Sequence, residues 1–195
     1  MPRQAPEGVP DPDWVKVSKT LAEDLVEALT KLRWPIMISG PVGTGKTFAM
    51  ACVYRSWRVP PQKPATILWY DTSDLLSKII ACRTSPTHSI TTRFSNGTTS
   101  EQFEGNFYAK ISRAGLLCLD DMGIKEPTPS KYEILKRILD LRPGKPTLIT
   151  TNLDHKRFTE VFDERIYSRA FCGPIVWAEG EDRRFEWRRQ ESGES

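Results

Sequence analysis

Histidine and cysteine are scarce in this sequence, and their spacing argues against a zinc site or a disulfide framework. The 195 residues include two histidines and four cysteines. Cys52, Cys82, Cys118 and Cys172 lie far apart in the chain, whereas zinc motifs place pairs of ligands about two to five residues apart. We therefore expect free thiols, no bound zinc and a cytoplasmic protein.

Long apolar runs and a strong charge imbalance are also missing. No run approaches the roughly 20 apolar residues of a membrane-spanning helix, so we expect no membrane contact. The net charge of +3 permits contact with nucleic acid without requiring it. Residues 1–13 and 185–195 are polar and are interpreted as flexible tails. The expected organisation is a single domain over residues 14–184.

The segment SGPVGTGKT, residues 39–47, carries the most specific motif. It matches G-x-x-x-x-G-K-[ST], follows the apolar run PIMIS and precedes a predicted helix. In such a loop the backbone N–H groups bind phosphate, the lysine contacts the β- and γ-phosphates, and the final hydroxyl binds Mg²⁺. We predict a nucleoside triphosphate site in which the Lys46 side chain is exposed. The predicted contacts are Gly40, Pro41, Val42, Gly43, Thr44, Gly45, Lys46, Thr47 and Phe48.

Five apolar runs alternate with helical patterns, which indicates a parallel α/β sheet with helices on both faces. The predicted strands are residues 36–39, 66–71, 115–121, 146–152 and 173–180. Ligands bind such sheets at the carboxyl ends of the strands.

Four finer features of the helices and loops also follow from the sequence. Residues 84–100 are rich in Ser and Thr without periodicity and are predicted to be a loop. Phe103, Phe107 and Ile111 predict one buried helical stripe within residues 101–114. Residues 156–171 are read as one helix, and Thr20 with Glu23 as a capping box.

Acidic and amide side chains follow two of the predicted strands. Asp120 and Asp121 end the run LLCLDD, about seventy residues after the glycine loop. In a phosphate-loop site the first acid contacts Mg²⁺ and the second polarises the attacking water. Asn152 ends the next strand, where its amide can orient that water. The alternatives are ordinary acids at a strand end and a helix N-cap at Asn152.

Two arginines lie four residues apart in the predicted helix DERIYSRAF. Arg165 and Arg169 therefore share one helix face. Such arginines either pair with local acids, for which Asp163 and Glu164 are the candidates, or reach the nucleotide of a neighbouring protomer. Both readings stay open for the two side chains at this point of the sequence.

The ordered set of motifs resembles the AAA+ ATPases and, in detail, the DnaC/IstB group of helicase loaders and transposition helper ATPases. The resemblance covers residues 36–184 through the segments GPVGTGKT, WYDTSDLLSKI, LLCLDDMG, PTLITTNLD, DERIYSRAF and GEDRR. It implies a P-loop core with a five-stranded parallel sheet in the order 5-1-4-3-2, without a full C-terminal lid domain. It also implies that ATP and Mg²⁺ bind between the protomers of a homo-oligomer.

The resemblance assigns roles to single residues of this chain. It implies that Asp121 replaces the usual glutamate as catalytic base, that Asn152 is sensor 1 and that Arg169 is the arginine finger, which reaches the nucleotide of a neighbouring protomer. Arg165 is then expected to pair locally. Arg183 lies in the closing motif without an assigned role. The implied catalytic residues are Lys46, Asp121, Asn152 and Arg169, and the implied metal ligands are Thr47 and Asp120.

Several functions remain open from the sequence. The resemblance favours a DnaC-type loader of a replicative helicase, and an IstB-like partner of a transposase is the main alternative. A P-loop small-molecule kinase is disfavoured because a water-activating acid promotes futile hydrolysis. A nucleotide-gated DNA-binding module is a further possibility. Loaders of this group usually carry an N-terminal helicase-binding domain, and about 35 residues precede the first strand here. We therefore expect a minimal or phage-type member, or one that needs another protein for recruitment.

Single-stranded DNA is the remaining predicted partner, bound weakly. The candidate contacts lie on the helix and loop after the second strand and are Lys78, Arg83, Arg93 and Phe94. The alternative is a solvated surface loop without a ligand.

Overall fold

A five-stranded parallel sheet with helices on both faces forms the centre of the molecule. The computed structural model describes residues 17–57, 66–93, 97–123 and 128–182. The strands are β1 (Ile36–Ser39), β2 (Ile67–Asp71), β3 (Ser89–Arg93), β4 (Thr99–Phe103), β5 (Leu116–Asp120), β6 (Thr147–Thr151) and β7 (Ile175–Trp177). The helices are α1 (Lys19–Thr30), α2 (Lys46–Ser56), α3 (Thr72–Thr84), α4 (Glu104–Arg113), α5 (Pro129–Asp140), α6 (His155–Val161) and α7 (Glu164–Ala170).

The order of the large sheet confirms the prediction. Its strands run β2-β5-β6-β1-β7, and every neighbouring pair is parallel. Strands β3 and β4 form a separate sheet, so the five strands of the large sheet are numbered 1 to 5 in chain order without them. The observed order is then 2-3-4-1-5, which is the predicted order 5-1-4-3-2 read from the other edge. The α/β class with helices on both faces is therefore correct.

The two faces of the sheet bury separate hydrophobic clusters. Ile36 and Ile38 pack on one face with α1 and α2. Met37, between them in β1, packs on the other face with residues of α3, α4, α5 and α7. Successive side chains of a strand point to opposite faces, and both faces are covered here. This explains why the strands read as continuous apolar runs rather than as alternating ones.

The register of the strands aligns their carboxyl ends at one edge. Ser39 at the end of β1 lies beside Thr151 of β6, and Asp71 of β2 lies beside Asp120 of β5. The segments that follow these strands therefore emerge together, and the glycine loop shares one edge with the acidic pair and Asn152.

The predicted loop at residues 84–100 is wrong, because much of it forms an antiparallel hairpin. Strands β3 and β4 pair from Ser89 opposite Phe103 to Arg93 opposite Thr99. Ile90 packs against the core, and Gln102 is buried. The β-branched residues of SITTR suit a half-buried strand, a preference that the high Ser and Thr content obscured.

The same hairpin corrects the helical stripe that was predicted next. Phe103 is the last residue of β4 and remains 43% exposed. Helix α4 starts at Glu104, so only Phe107 and Ile111 form its buried face together with Tyr108.

Two helix boundaries also differ from the predictions because of N-capping side chains. The Asp163 carboxylate accepts hydrogen bonds from the N–H groups of Arg165 and Ile166, which starts α7 and splits the predicted helix at residues 156–171 in two. In α1 the cap is Ser18, whose hydroxyl accepts a hydrogen bond from the Leu21 N–H. The predicted capping box at Thr20 is therefore wrong.

Some predictions concern residues that the structure does not describe. Residues 1–13 and 185–195, Phe94 and Arg183 all lie outside the described residues. Among the residues that the structure does describe, no helix combines the length and apolar content needed to cross a bilayer. All four cysteines are free thiols; Cys172 is exposed and the other three are buried.

Candidate nucleotide-binding site

The loop between β1 and α2 leads into a helix whose N-cap is a glycine. Gly45 is the N-cap of α2, with φ 90°, and no acidic residue lies in the first turn. Five of the other described helices begin at a side chain that accepts a hydrogen bond from a backbone N–H. Gly45 has no side chain to cap α2, and the positive end of the helix dipole at this loop favours an anion.

Close packing explains a second glycine of this loop. Gly43 has φ 81°, in the left-handed region that favours glycine. A Cβ atom at this position would overlap the carboxylate of Asp182. The start of the GEDRR segment therefore lies directly against the glycine loop.

The prediction that Lys46 is exposed is wrong. Its side chain is buried, with 7% exposure for the residue. The ammonium donates hydrogen bonds to the carbonyl oxygens of Gly40, at 2.8 Å, and Pro41, at 2.5 Å. The charge is buried because the loop folds around it, so Lys46 helps to hold the loop and lies where the loop would bind phosphate.

Asp120 lies at the end of β5 and receives two hydroxyl groups. Thr47 Oγ1 and Thr150 Oγ1 donate to Asp120 Oδ1 at 3.1 and 2.6 Å. Burial raises the pKa of this carboxyl, the two hydrogen bonds oppose that shift, and nearby Asp71 adds to it. A bound cation would favour the charged form of the carboxyl at this position.

Asp121 and Asn152 are in direct contact. Asn152 Nδ2 donates to Asp121 Oδ1 at 2.9 Å. The alternative role of Asn152 as a helix cap is not seen, because the Asp154 side chain caps α6. The two residues face a solvent-open cavity with about 480 Å³ of unfilled space. This cavity is lined by Gly43, Gly45, Lys46, Thr47, Phe48, Asp121, Thr150 and Asn152.

Two threonines in the site were missed by the sequence analysis. The hydroxyl of Thr150 contacts both acids, and the hydroxyl of Thr72 donates to the main-chain oxygen of Asp120 at 2.8 Å. Thr150 could have been noticed as a polar side chain inside the fully buried strand β6, because buried hydroxyls normally have partners. Nothing in the sequence identified those partners.

The two arginines of α7 are placed differently from the expectation. Arg169 forms an ion pair with Asp140 of α5 and donates to the carbonyl oxygen of Arg165 at 2.7 Å. The Arg165 guanidinium, which was expected to pair locally, is not within ion-pair distance of a carboxylate in the part of the chain that the structure describes. Its charge nevertheless adds to the hydrogen bond from Tyr132 in lowering the pKa of nearby Asp163.

The Arg169 side chain also lies far from the glycine loop. It lines a cavity with Pro35 and Thr147, which lie at the amino ends of β1 and β6. That edge of the sheet is opposite the one that carries the glycine loop, so Arg169 does not approach the site of its own chain.

The residues predicted to contact DNA do not form one surface cluster of charged side chains without ion-pair partners, because two of them are bound to carboxylates. Lys78 pairs with Asp74 at 2.7 Å. Arg83 donates two hydrogen bonds to Glu104, at 2.8 and 2.6 Å. Arg93 ends β3 and is exposed. Of these charged candidates, Arg93 is the one for which the structure places no carboxylate partner among the described residues.

Comparison with solved structures identifies the fold. DnaA bound to AMPPCP and single-stranded DNA superimposes with a TM-score of 0.64, at 19% identity, over 91% of this chain and 53% of that chain. The crystal structure of the DnaC helicase loader gives a TM-score of 0.56 at 16% identity over 88% of this chain and 95% of that chain. The protein therefore has the fold of the P-loop AAA+ proteins.

Sequence comparison shows which proteins with this fold are similar to the chain. The chain is 29% identical over 177 residues to the replicative helicase loader DnaC of Buchnera aphidicola subsp. Acyrthosiphon pisum (strain APS). The match covers 89% of this chain and 61% of the relative, so the chain spans about three fifths of that protein's length. No family model matches the sequence. The predicted resemblance to DnaC-type AAA+ proteins is confirmed.

Proposed function

We propose that this protein binds and hydrolyses ATP with Mg²⁺ and acts on DNA as a replicative helicase loader of DnaC type. The observation that carries the nucleotide site is one cavity lined by the glycine loop, by Lys46 and Thr47 at the start of α2, and by Asp121 after β5. An anion at the helix terminus and a cation at the acids are the two halves of a metal–triphosphate complex.

The residues present fit Mg²⁺. The Thr47 hydroxyl and the Asp120 carboxylate are hard oxygen donors joined by a hydrogen bond, and Mg²⁺ takes one or two such protein ligands together with phosphate oxygens and water. When bound, Mg²⁺ would neutralise charge on the phosphate groups. Thr47 and Asp120 would hold it.

The second acid and the amide supply the chemistry of water attack. Asp121 accepts the proton of the attacking water, and Asn152 orients both this carboxylate and the water through its amide. The hydrogen bond between the two side chains keeps the acid pointed into the cavity. The phosphate groups are held by the N–H groups at the start of α2 and by Lys46.

The partners are proposed from the relatives. The curated relative is a replicative helicase loader, and a fold neighbour was solved with single-stranded DNA. We propose weak binding of single-stranded DNA and recruitment by a replicative helicase. The helicase loader is favoured over the transposition helper because the relatives reported above act in replication. Homo-oligomers would form with ATP, and Arg169 would complete the site of a neighbour.

A pair of lysine variants tests the nucleotide site. Lys46→Ala should abolish ATP binding and hydrolysis, measured with a fluorescent ATP analogue and by phosphate release. Lys145→Ala is the matched control, because Lys145 also donates to two carbonyl oxygens, of Ser112 and Leu141, far from the site. Wild-type affinity in Lys46→Ala would contradict the assignment, and a loss in both variants would indicate loop or fold damage instead.

The partner assignment has its own experiment. Size-exclusion chromatography with the replicative helicase of the same organism should show an ATP-dependent complex, and phosphate release should change with single-stranded DNA. Absence of a complex together with binding to a co-encoded transposase would favour the alternative function.

A further inference from the structure

We propose that Thr150 is the positioning residue of this site and sets the geometry of both acids at once. Its hydroxyl donates to Asp120 Oδ1 at 2.6 Å and accepts the Asp121 N–H at 2.8 Å. The residue is 1% exposed. The inference rests on the proposed binding of Mg²⁺ and ATP, and it adds a residue for which the resemblance gives no role.

A hydroxyl carries a single proton, which makes the arrangement directional. The Thr150 proton is committed to the Asp120 carboxylate, since the second neighbour is itself an N–H donor. The side chain is therefore an acceptor toward Asp121 and a donor toward Asp120, and it couples the two acids through one atom.

The same threonine holds the turn that directs the second acid. Asp121 has φ 54°, a left-handed conformation that costs a non-glycine residue about 1–2 kcal/mol. Thr150 anchors both sides of this turn, because its hydroxyl takes the Asp121 N–H and its main-chain oxygen takes the Met122 N–H at 2.8 Å. The strained residue is thereby held with its carboxylate against Asn152.

The first acid is oriented by two hydroxyl groups that share one of its oxygens. Thr47 and Thr150 both donate to Asp120 Oδ1, at 3.1 and 2.6 Å. Removing the Thr150 hydroxyl takes away the shorter of these two contacts. The remaining hydroxyl donor is then Thr47, which is itself a proposed metal ligand.

The next residue of β6 is a matched control. Thr151 is fully buried, and its hydroxyl donates to the carbonyl oxygen of Met122 at 2.6 Å and accepts the Leu153 N–H at 3.1 Å. It lies on the opposite face of the sheet, and its hydroxyl bonds to Met122 and Leu153 rather than to either acid. The two threonines therefore share strand, burial and hydrogen-bond number, and they differ in their partners.

The test compares Thr150→Val, Thr150→Ser and Thr151→Val. The readout is the dissociation constant of a fluorescent ATP analogue, measured with Mg²⁺ and with EDTA, next to the melting temperature. Partners that orient metal ligands typically contribute about 10- to 100-fold to metal affinity. Thr150→Val should lose about that much of the Mg²⁺-dependent gain and keep the affinity in EDTA. Thr150→Ser should restore the gain, and Thr151→Val should lower the melting temperature while the gain is kept.

Three results would decide against the inference, and they separate it from the proposed function. An equal Mg²⁺-dependent gain in Thr150→Val and Thr151→Val would overturn it while the nucleotide site stands. Failure of Thr150→Ser to restore the gain would show that the threonine methyl group, not the hydroxyl, matters. Absence of nucleotide binding by the wild type would overturn the proposed function itself. Should Thr150→Val not fold, Thr150→Ala, which introduces no atoms, is measured in the same way.

Discussion

Replacing Arg169 asks whether its guanidinium acts on a neighbouring protomer or only pairs within its own chain. Arg169→Ala should bind ATP but hydrolyse it about 10³- to 10⁵-fold more slowly if the guanidinium completes the neighbour's site. Its position at the opposite edge of the sheet from the glycine loop excludes action on its own nucleotide without rearrangement.

The ion pair seen in the structure is too weak to oppose this role. Arg169 and Asp140 have side chains that are 34% and 44% exposed, and exposed pairs contribute about 0.2–1 kcal/mol. A rate effect of about 10³-fold corresponds to about 4 kcal/mol. Breaking the ion pair between Arg169 and Asp140 should therefore cost much less free energy than Arg169 contributes to catalysis at the neighbouring protomer's site. Asp140→Asn should change turnover by no more than about fivefold.

The assay is phosphate release as a function of protein concentration. Turnover per protomer should rise with concentration, and mixing Arg169→Ala with Lys46→Ala should restore part of the activity. A mixed interface pairs an intact glycine loop with an intact arginine. Arg165→Ala is the control, with near-normal turnover expected.

Three outcomes would refute this reasoning. Absence of rescue in the mixture would exclude action between protomers. A dead Arg165→Ala with an active Arg169→Ala would assign the role to the arginine that lacks an ion-pair partner among the described residues. A loss in Asp140→Asn as large as in Arg169→Ala would show that the pair is structural.

Three further predictions follow from the site and its surroundings. Asp121→Asn should keep ATP binding and slow phosphate release, whereas Asp120→Asn should weaken Mg²⁺-dependent ATP binding. Normal hydrolysis in both variants would show that the two acids have no role in catalysis. Arg83 lowers the pKa of Glu104, so the stability advantage of wild type over Glu104→Gln should be constant near neutral pH and shrink as the pH falls below about 4.3, the ordinary glutamate value. Denaturant unfolding between pH 3 and 7 measures this, and an advantage that grows in acid would contradict it. Arg93→Ala should reduce the slope of log affinity for single-stranded DNA against log salt concentration by about 0.7. Arg83→Ala should mainly lower the melting temperature, because Arg83 is bound to Glu104. Equal slopes in wild type and Arg93→Ala would show that Arg93 does not contact the DNA.

The core strands and the glycine loop could be predicted from the sequence because their causes are local. Apolar runs such as LLCLD end at polar residues or prolines, and strands buried on both faces require such runs. The conformations at Gly43 and Gly45 are set by the residues themselves. The strand order came from the resemblance, since no local pattern specifies which strands become neighbours.

The errors lie where local preferences compete. The hydroxyl-rich segment before α4 reads equally well as a loop or as an exposed hairpin, and the packing of Ile90 on the core decides for the hairpin. Similarly, residues 156–171 have good helical periodicity, but the Asp163 side chain satisfies the N–H groups of a new helix start.

By itself, the sequence determined which chemical groups the protein has at each strand end, because turn residues and burial patterns act over a few positions. Only the tertiary structure decided which of these groups meet. Thr150 lies thirty residues from Asp120 in the chain, and the parallel register of β5 and β6 brings them together. Arg169 meets Asp140 through the packing of α7 against α5. Lys46 is buried because its own loop closes around the ammonium. Such contacts depend on strand register and helix packing, which are properties of the whole core and are not encoded in any short segment.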